Sequence, residues 1–260
     1  MFPVWGEYDG RRDYSCDVAP VVLAERAEGP AVPVLVASND GKRPVLMLEG
    51  QLLEGGWQNR VLTRSYLLGA GSTVDLEVAC VEANRWGGRQ GHRADRRRGS
   101  IRVRSALSRS PQQNRQGEVW RRVSEYDARY GPDPTSSFTG HLDRAMPDVS
   151  RLVDDLRALQ GQSGVVIGIG GQPAMAEVFD SPATLRQELG SILAAAGMDA
   201  VDADPVPTPS RRARRFLDRA AKVAFVEGAP AGMGPPLVAA ASTSRRPGSR
   251  GGTDCCTSPS

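Results

Sequence analysis

The chain has 260 residues, 40% of them hydrophobic and 24% charged, with a formal net charge of +3 and a mean hydropathy of −0.36. That length can bury one substantial core or two small ones, and no apolar run approaches the roughly 18 residues that a bilayer span requires. No apolar segment follows a basic start at the N-terminus, and Cys16, Cys80, Cys255 and Cys256 form no CxxC pair, so the expectation is a cytoplasmic protein with reduced thiols.

Short apolar runs at 21–24, 33–37, 44–48, 61–68 and 73–81 read as strands separated by turn chemistry such as Asn39-Asp40-Gly41 and Gly69-Ala70-Gly71. Asp40-Gly41 between two such runs is a hairpin signal. Connections this short cannot join parallel strands, which need crossovers of a dozen or more residues. Residues 87–115 are rich in Gly, Arg and Ser with few apolar anchors and read as a long exposed loop. Helical spacing follows over 116–130, and Thr139 can cap a second helix to residue 159 that Pro147 kinks or splits. Residues 164–169 read as a buried strand returning over 174–179 through a tight Gly-Gly turn. Ser181-Pro182 caps and opens a helix to about residue 196, and a last helix covers 211–226 after a Pro-rich linker.

Strands first and helices later argue for an α+β fold. The expectation is one domain over 1–242: an antiparallel β-sheet in the N-terminal third (20–86), an Arg-rich loop (87–115), and a helical part with one later β-hairpin (116–235). Three to four helices cover the sheet.

The Gly168-Ile169-Gly170-Gly171 turn follows a strand but lacks the third glycine of a dinucleotide-binding loop, Pro173 standing in its place, and the next segment reads as a strand. A hairpin turn is the better reading. The two histidines, His92 and His141, lie in different elements without metal-ligand spacing, which leaves no expected metal site; polar surface roles are their default. Only Lys42 and Lys222 are lysines, so the basic charge is nearly all guanidinium. The basic segment 93–104 has no aromatic residue on which a base could stack, which argues for a solvated loop over nucleic-acid binding. Cys80, inside an apolar stripe, reads as a small core residue before a nucleophile.

The central stretch is harder to assign to structure alone. Alternation over 74–82 puts Val74, Leu76, Val78 and Cys80 on one face, and Glu82 is that face's next member. Glu49 likewise ends the apolar run Val45-Leu46-Met47-Leu48. Desolvation raises the pKa of such acids unless a cation answers them, and Arg60 and Arg85 are the cations nearby in sequence. Two readings stand side by side. One is a pair of buried ion pairs pinning the sheet edges. The other is a cleft in which Glu49 and Glu82 act as acid, base or ribose-hydroxyl acceptors while Arg60 holds a phosphate.

The chain resembles the bacterial and archaeal ADP-ribosylglycohydrolase/rhodanese/phosphatase-superfamily-associated protein domain family. The resemblance rests on Val32-Pro33-Val34-Leu35-Val36 with Asn39, Leu48-Glu49-Gly50, Gln58-Asn59-Arg60, Ala70-Gly71-Ser72-Thr73, Cys80-Val81-Glu82 with Arg85-Trp86, Gln116-Gly117-Glu118-Val119-Trp120, and the hairpin 164–179 followed by Asp180-Ser181-Pro182. It implies a role around NAD-derived or ADP-ribose-type nucleotides and brings no assigned catalytic residue and no cofactor. On that basis Glu49 and Glu82 are the candidate catalytic carboxylates, and Gln58, Asn59, Arg60 and Arg85 the candidate ligand contacts. The expected partner is a phosphorylated nucleotide, with no membrane. The alternative is a non-catalytic sensor or protein-interaction module whose polar motif is structural. The chain departs from the family at its end: residues 243–260 replace a further hairpin carrying a histidine, and read as a disordered tail produced by frameshift or truncation. Translating the neighbouring reading frame tests this; absence of an apolar hairpin there refutes it.

Overall fold

The computed structural model describes residues 1–239 apart from 9, 28, 30, 90, 110, 111, 229–231, 235 and 236. The expected tail at 243–260 lies outside the described residues. In chain order the elements are β1 (Phe2–Val4), β2 (Val21–Ala24), β3 (Val34–Asn39), β4 (Val45–Met47), β5 (Gln51–Gly55), β6 (Arg60–Leu62), β7 (Tyr66–Leu68), β8 (Thr73–Cys80) and β9 (Gly91–Arg98). Then come α1 (Ile101–Arg109), a 3-10 turn (Gln112–Asn114), α2 (Arg115–Ser124), α3 (Asp127–Tyr130), α4 (Phe138–Val153), β10 (Gly164–Ile169), β11 (Gln172–Val178), α5 (Pro182–Ala200), α6 (Ser210–Ala220), β12 (Phe225–Glu227) and β13 (Leu237–Ala239).

The architecture is α+β, and its strands pair antiparallel. Six of them close a barrel in the order β2-β3-β8-β6-β5-β9, with β9 returning to β2 through the Leu23↔His92 pair. Closure removes the exposed sheet edges that would otherwise template pairing with other chains. Alternation sets the two faces. Leu23, Leu35, Ala37, Leu53, Leu62, Leu76 and Val78 fill the interior, joined by Val45, Met47, Tyr66 and Leu68 of the β4–β7 ribbon. Leu52, Val61, Ala79 and Val81 point outward and form a second core with α1, α2, α4 and α5. A third core lies between α5 and the β1-β10-β11 sheet.

Several expectations are corrected. The segment 87–115, expected as a loop, supplies the strand that closes the barrel and a helix on its flank. Several of its arginines are held by carboxylates of other elements: Arg97 by Glu54 and Asp143, Arg98 by Glu177, Arg102 by Asp199 and Arg104 by Glu49 and Glu177. A strand whose outward positions are ion-paired guanidiniums carries no hydrophobic signature. The run 61–68 is two strands separated by a bend at Thr63–Arg64, β6 pairing with β8 and β7 with β4. The helix expected over 116–130 breaks into α2 and α3. Ser137 rather than Thr139 occupies the N-cap of α4, which continues through Pro147. The last helix stops at Ala220, and Phe225 and Val226 belong to a β-ribbon. The Ser181 cap holds, its hydroxyl accepting from the Ala183 N–H at 3.2 Å. Cys16 and Cys80 are free and buried. Among the described residues no helix is long and apolar enough to cross a membrane.

Candidate functional site at one end of the barrel

The Gln58-Asn59-Arg60 triplet sits where β5 hands over to β6, at the barrel end formed by the C-terminal ends of β2, β5 and β8. The connecting loop folds across that end through two glycines at φ 103° (Gly55) and 54° (Gly56). Gly56 has a second constraint: a Cβ there would lie 1.9 Å from His92 Nε2. Only glycine satisfies both.

Asn59, Glu82 and Arg85 tie this loop down. The Asn59 side chain accepts from the Gly55 N–H at 2.9 Å and donates to Thr139 Oγ1 at 2.9 Å, which binds the loop to α4. Glu82 Oε2 accepts from the Asn59 N–H at 2.9 Å and meets Arg85 at 2.6 Å, while Oε1 accepts from Thr135 Oγ1 at 2.8 Å. Arg85 also donates to the carbonyls of Gly55, Gly56 and Gly87 at 3.1, 2.7 and 3.2 Å. Burial pushes the Glu82 carboxyl up, but Arg85, the Asn59 N–H and the Thr135 hydroxyl outweigh it and hold the group below its usual range. An acid held ionised in this way is a poor proton donor at neutral pH.

Beneath the loop lies a buried polar cluster. Arg60 continues the inward face of Leu62, Cys80 that of Val78, and His92 that of Ala94; Glu25 follows Leu23 at the same period. Arg60 donates to Gln58 Oε1 at 2.5 Å and stands 3.9 Å from Glu25 Oε1, which His92 Nε2 approaches to 3.1 Å. The side chains of Arg60, Glu25 and His92 are at most 2% exposed. Burial lowers the His92 pKa, against the opposing pull of Glu25, so the ring is neutral near pH 7. The cluster is therefore close to electroneutral. Among the described residues its hydrogen bonding is incomplete: Glu25 Oε2 and Arg60 Nε have no partner, and His92 Nδ1 lies by the Leu53 backbone without a well-formed bond. An unmet acceptor beside an unmet donor suits a hydroxyl or a water, which can do both. The buried Cys80 thiol, pushed up by desolvation, supplies no thiolate.

Glu49 is held in a different place. Arg104 grips it through Nε at 2.8 Å and Nη2 at 2.6 Å and reaches Glu177 at 2.5 Å, and Arg98 joins the same Glu177 at 2.5 Å. This ladder fastens the barrel to β11 and edges a surface cavity of about 200 Å³. The structure thus brings Gln58, Asn59, Arg60, Glu82 and Arg85 together and leaves Glu49 out. Arg85 answers Glu82, whereas Glu25 answers Arg60 and Arg104 answers Glu49. Sequence reasoning passes over Glu25 and expects surface roles for His92 and His141, whose rings are both buried. The only signals for Glu25 and His92 are the period-two steps Leu23→Glu25 and His92→Ala94.

The family model of the ARG and Rhodanese-Phosphatase-superfamily-associated Protein domain matches residues 1–245. No curated protein and no solved structure gives a significant match.

Proposed function

The chain belongs to the ARG and Rhodanese-Phosphatase-superfamily-associated Protein domain family, and from that membership we propose that it binds a phosphorylated nucleotide of NAD or ADP-ribose type without converting it. The observation that supports this reading is the pair of unmet polar atoms, Glu25 Oε2 and Arg60 Nε, at the capped barrel end. A carboxylate acceptor beside a guanidinium donor fits the hydroxyls of a ribose. It fits a phosphate poorly, because the Glu25 charge opposes the anion that Arg60 would attract. Arg60 is then a hydroxyl contact, Gln58 orients it, and Asn59 and Arg85 hold the loop that admits or excludes the sugar. Binding without turnover is the reading that the ion pairs of the two candidate carboxylates support: Glu82 and Glu49 each meet a guanidinium within 2.6 Å.

Thermal shift with ADP-ribose, NAD, AMP and ribose 5-phosphate tests this. Ligand at about a hundred times its dissociation constant should add roughly 2.7 kcal/mol of stability. Glu25→Gln should abolish the shift while leaving a cooperative melt, and chromatography should recover the nucleotide intact. A second reading, a protein-interaction module, is favoured by the internal hydrogen bonds of Asn59, Glu82 and Arg85. It prevails if none of the four compounds shifts the melt.

A further inference from the structure

Nearly every arginine of the barrel and its flanking helices faces a carboxylate, including Arg97, Arg98, Arg102 and Arg104 of the segment whose composition first suggests nucleic acid. Helix α6 differs. Its sequence Ser-Arg-Arg-Ala-Arg-Arg-Phe-Leu-Asp-Arg-Ala turns Ala213, Phe216 and Leu217 toward the protein, with Ala213 only 4% exposed. The helix lies against β10 and β11, whose other side is covered by α5. Arg211, Arg215 and Arg219 stand exposed on its outer face, Arg214 flanks it beside a cavity against β1, and among the described residues none of the four has a salt bridge or side-chain hydrogen bond. Arg212 donates to the Gly171 carbonyl, and Asp218 is the one acid on the helix.

We infer that the outer face of α6 is a docking surface for the phosphate backbone of a nucleic acid. Arg211, Arg215 and Arg219 recur every four residues and span about 12 Å along the axis, enough to meet successive phosphates. Guanidinium forks engage phosphate oxygens in pairs, and their binding releases condensed counterions. Charge complementarity alone would admit an acidic protein. Protein interfaces, however, are built round a buried apolar or aromatic core, and this face presents none. A bilayer surface would take the apolar side of an amphipathic helix, and here that side is packed on the sheet. The face offers guanidiniums spaced along one exposed helix for the phosphates, and phosphate contacts carry no sequence information, so equal binding to different sequences is expected.

The experiment is fluorescence anisotropy of the full chain with a labelled 20-base-pair DNA and a single-stranded RNA of the same length, in two unrelated sequences, from 50 to 200 mM salt. Binding to at least one of the two nucleic acids is expected, with equal affinity for its two sequences. Three phosphate contacts predict a log–log salt slope of roughly −2 to −3. R211E/R215E/R219E, which touches only exposed side chains, should weaken binding at least tenfold. R89E/R93E/R96E carries the same change of net charge elsewhere on the surface and should weaken it by less than threefold. The inference is overturned by absence of binding at 50 mM salt or by equal loss in both triple variants. It is also overturned if the protein binds phosphatidylserine vesicles and neither nucleic acid.

Discussion

Removing the Arg85 guanidinium would leave Glu82, 5% exposed, without its counter-charge and would free three carbonyls of the Gly55–Gly56 and Gly87 backbone. Breaking a buried ion pair from one side costs about 3–5 kcal/mol, and Arg85, 28% exposed, belongs near the lower end. Arg85→Ala should therefore lower unfolding stability in urea by about 3 kcal/mol, and adding Glu82→Gln should return part of it. A loss below about 1 kcal/mol would put the pair in the class of surface bridges instead. His92 makes a separate prediction in pH. Its folded pKa is depressed by burial while the unfolded chain titrates near 6.5, so stability is complete above that value. As pH falls from 6.5 toward the folded pKa, the unfolded chain takes up a proton that the folded protein refuses, and stability declines. His141 is depressed as well, through burial and Arg144, so the wild-type slope contains both rings. His92→Gln should flatten the melting temperature between pH 7 and 5 relative to wild type; parallel curves would show that the ring is not held neutral. Neither effect is legible in a linear reading. Glu82 and Arg85 are three residues apart and their pairing can be anticipated, but Glu25 and His92 meet only because β2 and β9 pair across the closing seam of the barrel.

At the level of elements, sequence patterning succeeds where one face is apolar and fails where a face is ionic. β3, β8, β10 and α5 carry the expected periods and nearly the expected bounds. β9 does not, because Arg93 and Arg97 alternate with His92 and Ala94, and the inward pair is too weakly apolar to register as a stripe. Its stability comes from partners remote in the chain, and the Arg98–Glu177–Arg104–Glu49 ladder is the clearest case. Arg98 is 2% and Glu177 10% exposed, and the two guanidiniums hold the Glu177 carboxyl below its usual range in spite of burial. Glu177→Gln keeps the shape and removes the charge, leaving Arg98 buried beside a neutral amide. The expected cost is about 3 kcal/mol, with faster amide exchange across β10 and β11. Arg121→Gln on α2 is the contrast. That side chain is 53% exposed between Glu118 and Glu125, and the change should cost no more than about 1 kcal/mol. Equal losses in the two variants would mean that the ladder contributes no more than surface charge does.

Across the whole molecule, one hydrophobic core joins the barrel to the helices, and this is what the sequence conceals most completely. An α+β class can be read from the order of elements; closure of six strands cannot, since it depends on which distant strands pair. Val61, Ala79 and Val81 of the outer barrel share a core with Leu142, Ala145 and Val149 of α4 and Met198 of α5. Neither layer can open without exposing the other, so the protein should unfold as a unit. Gly197 probes this from the helical side of that shared core. It lies where α5 crosses α4, and a Cβ there would come within 2.6 Å of Val149 Cγ1, itself fully buried and β-branched. Replacing a mid-helix glycine by alanine ordinarily gains about 1 kcal/mol of helix stability. Overpacking a full core costs about 1–3 kcal/mol, so the clash should win and Gly197→Ala should be destabilising by about 1 kcal/mol net. The urea midpoint should fall with the slope unchanged. Fluorescence of the four tryptophans, Trp57 beside the barrel end and Trp120 on α2 among them, should follow the same curve as far-UV circular dichroism. Two separated transitions in this variant would show that barrel and helices are held together by connection alone and that the shared core does not couple them.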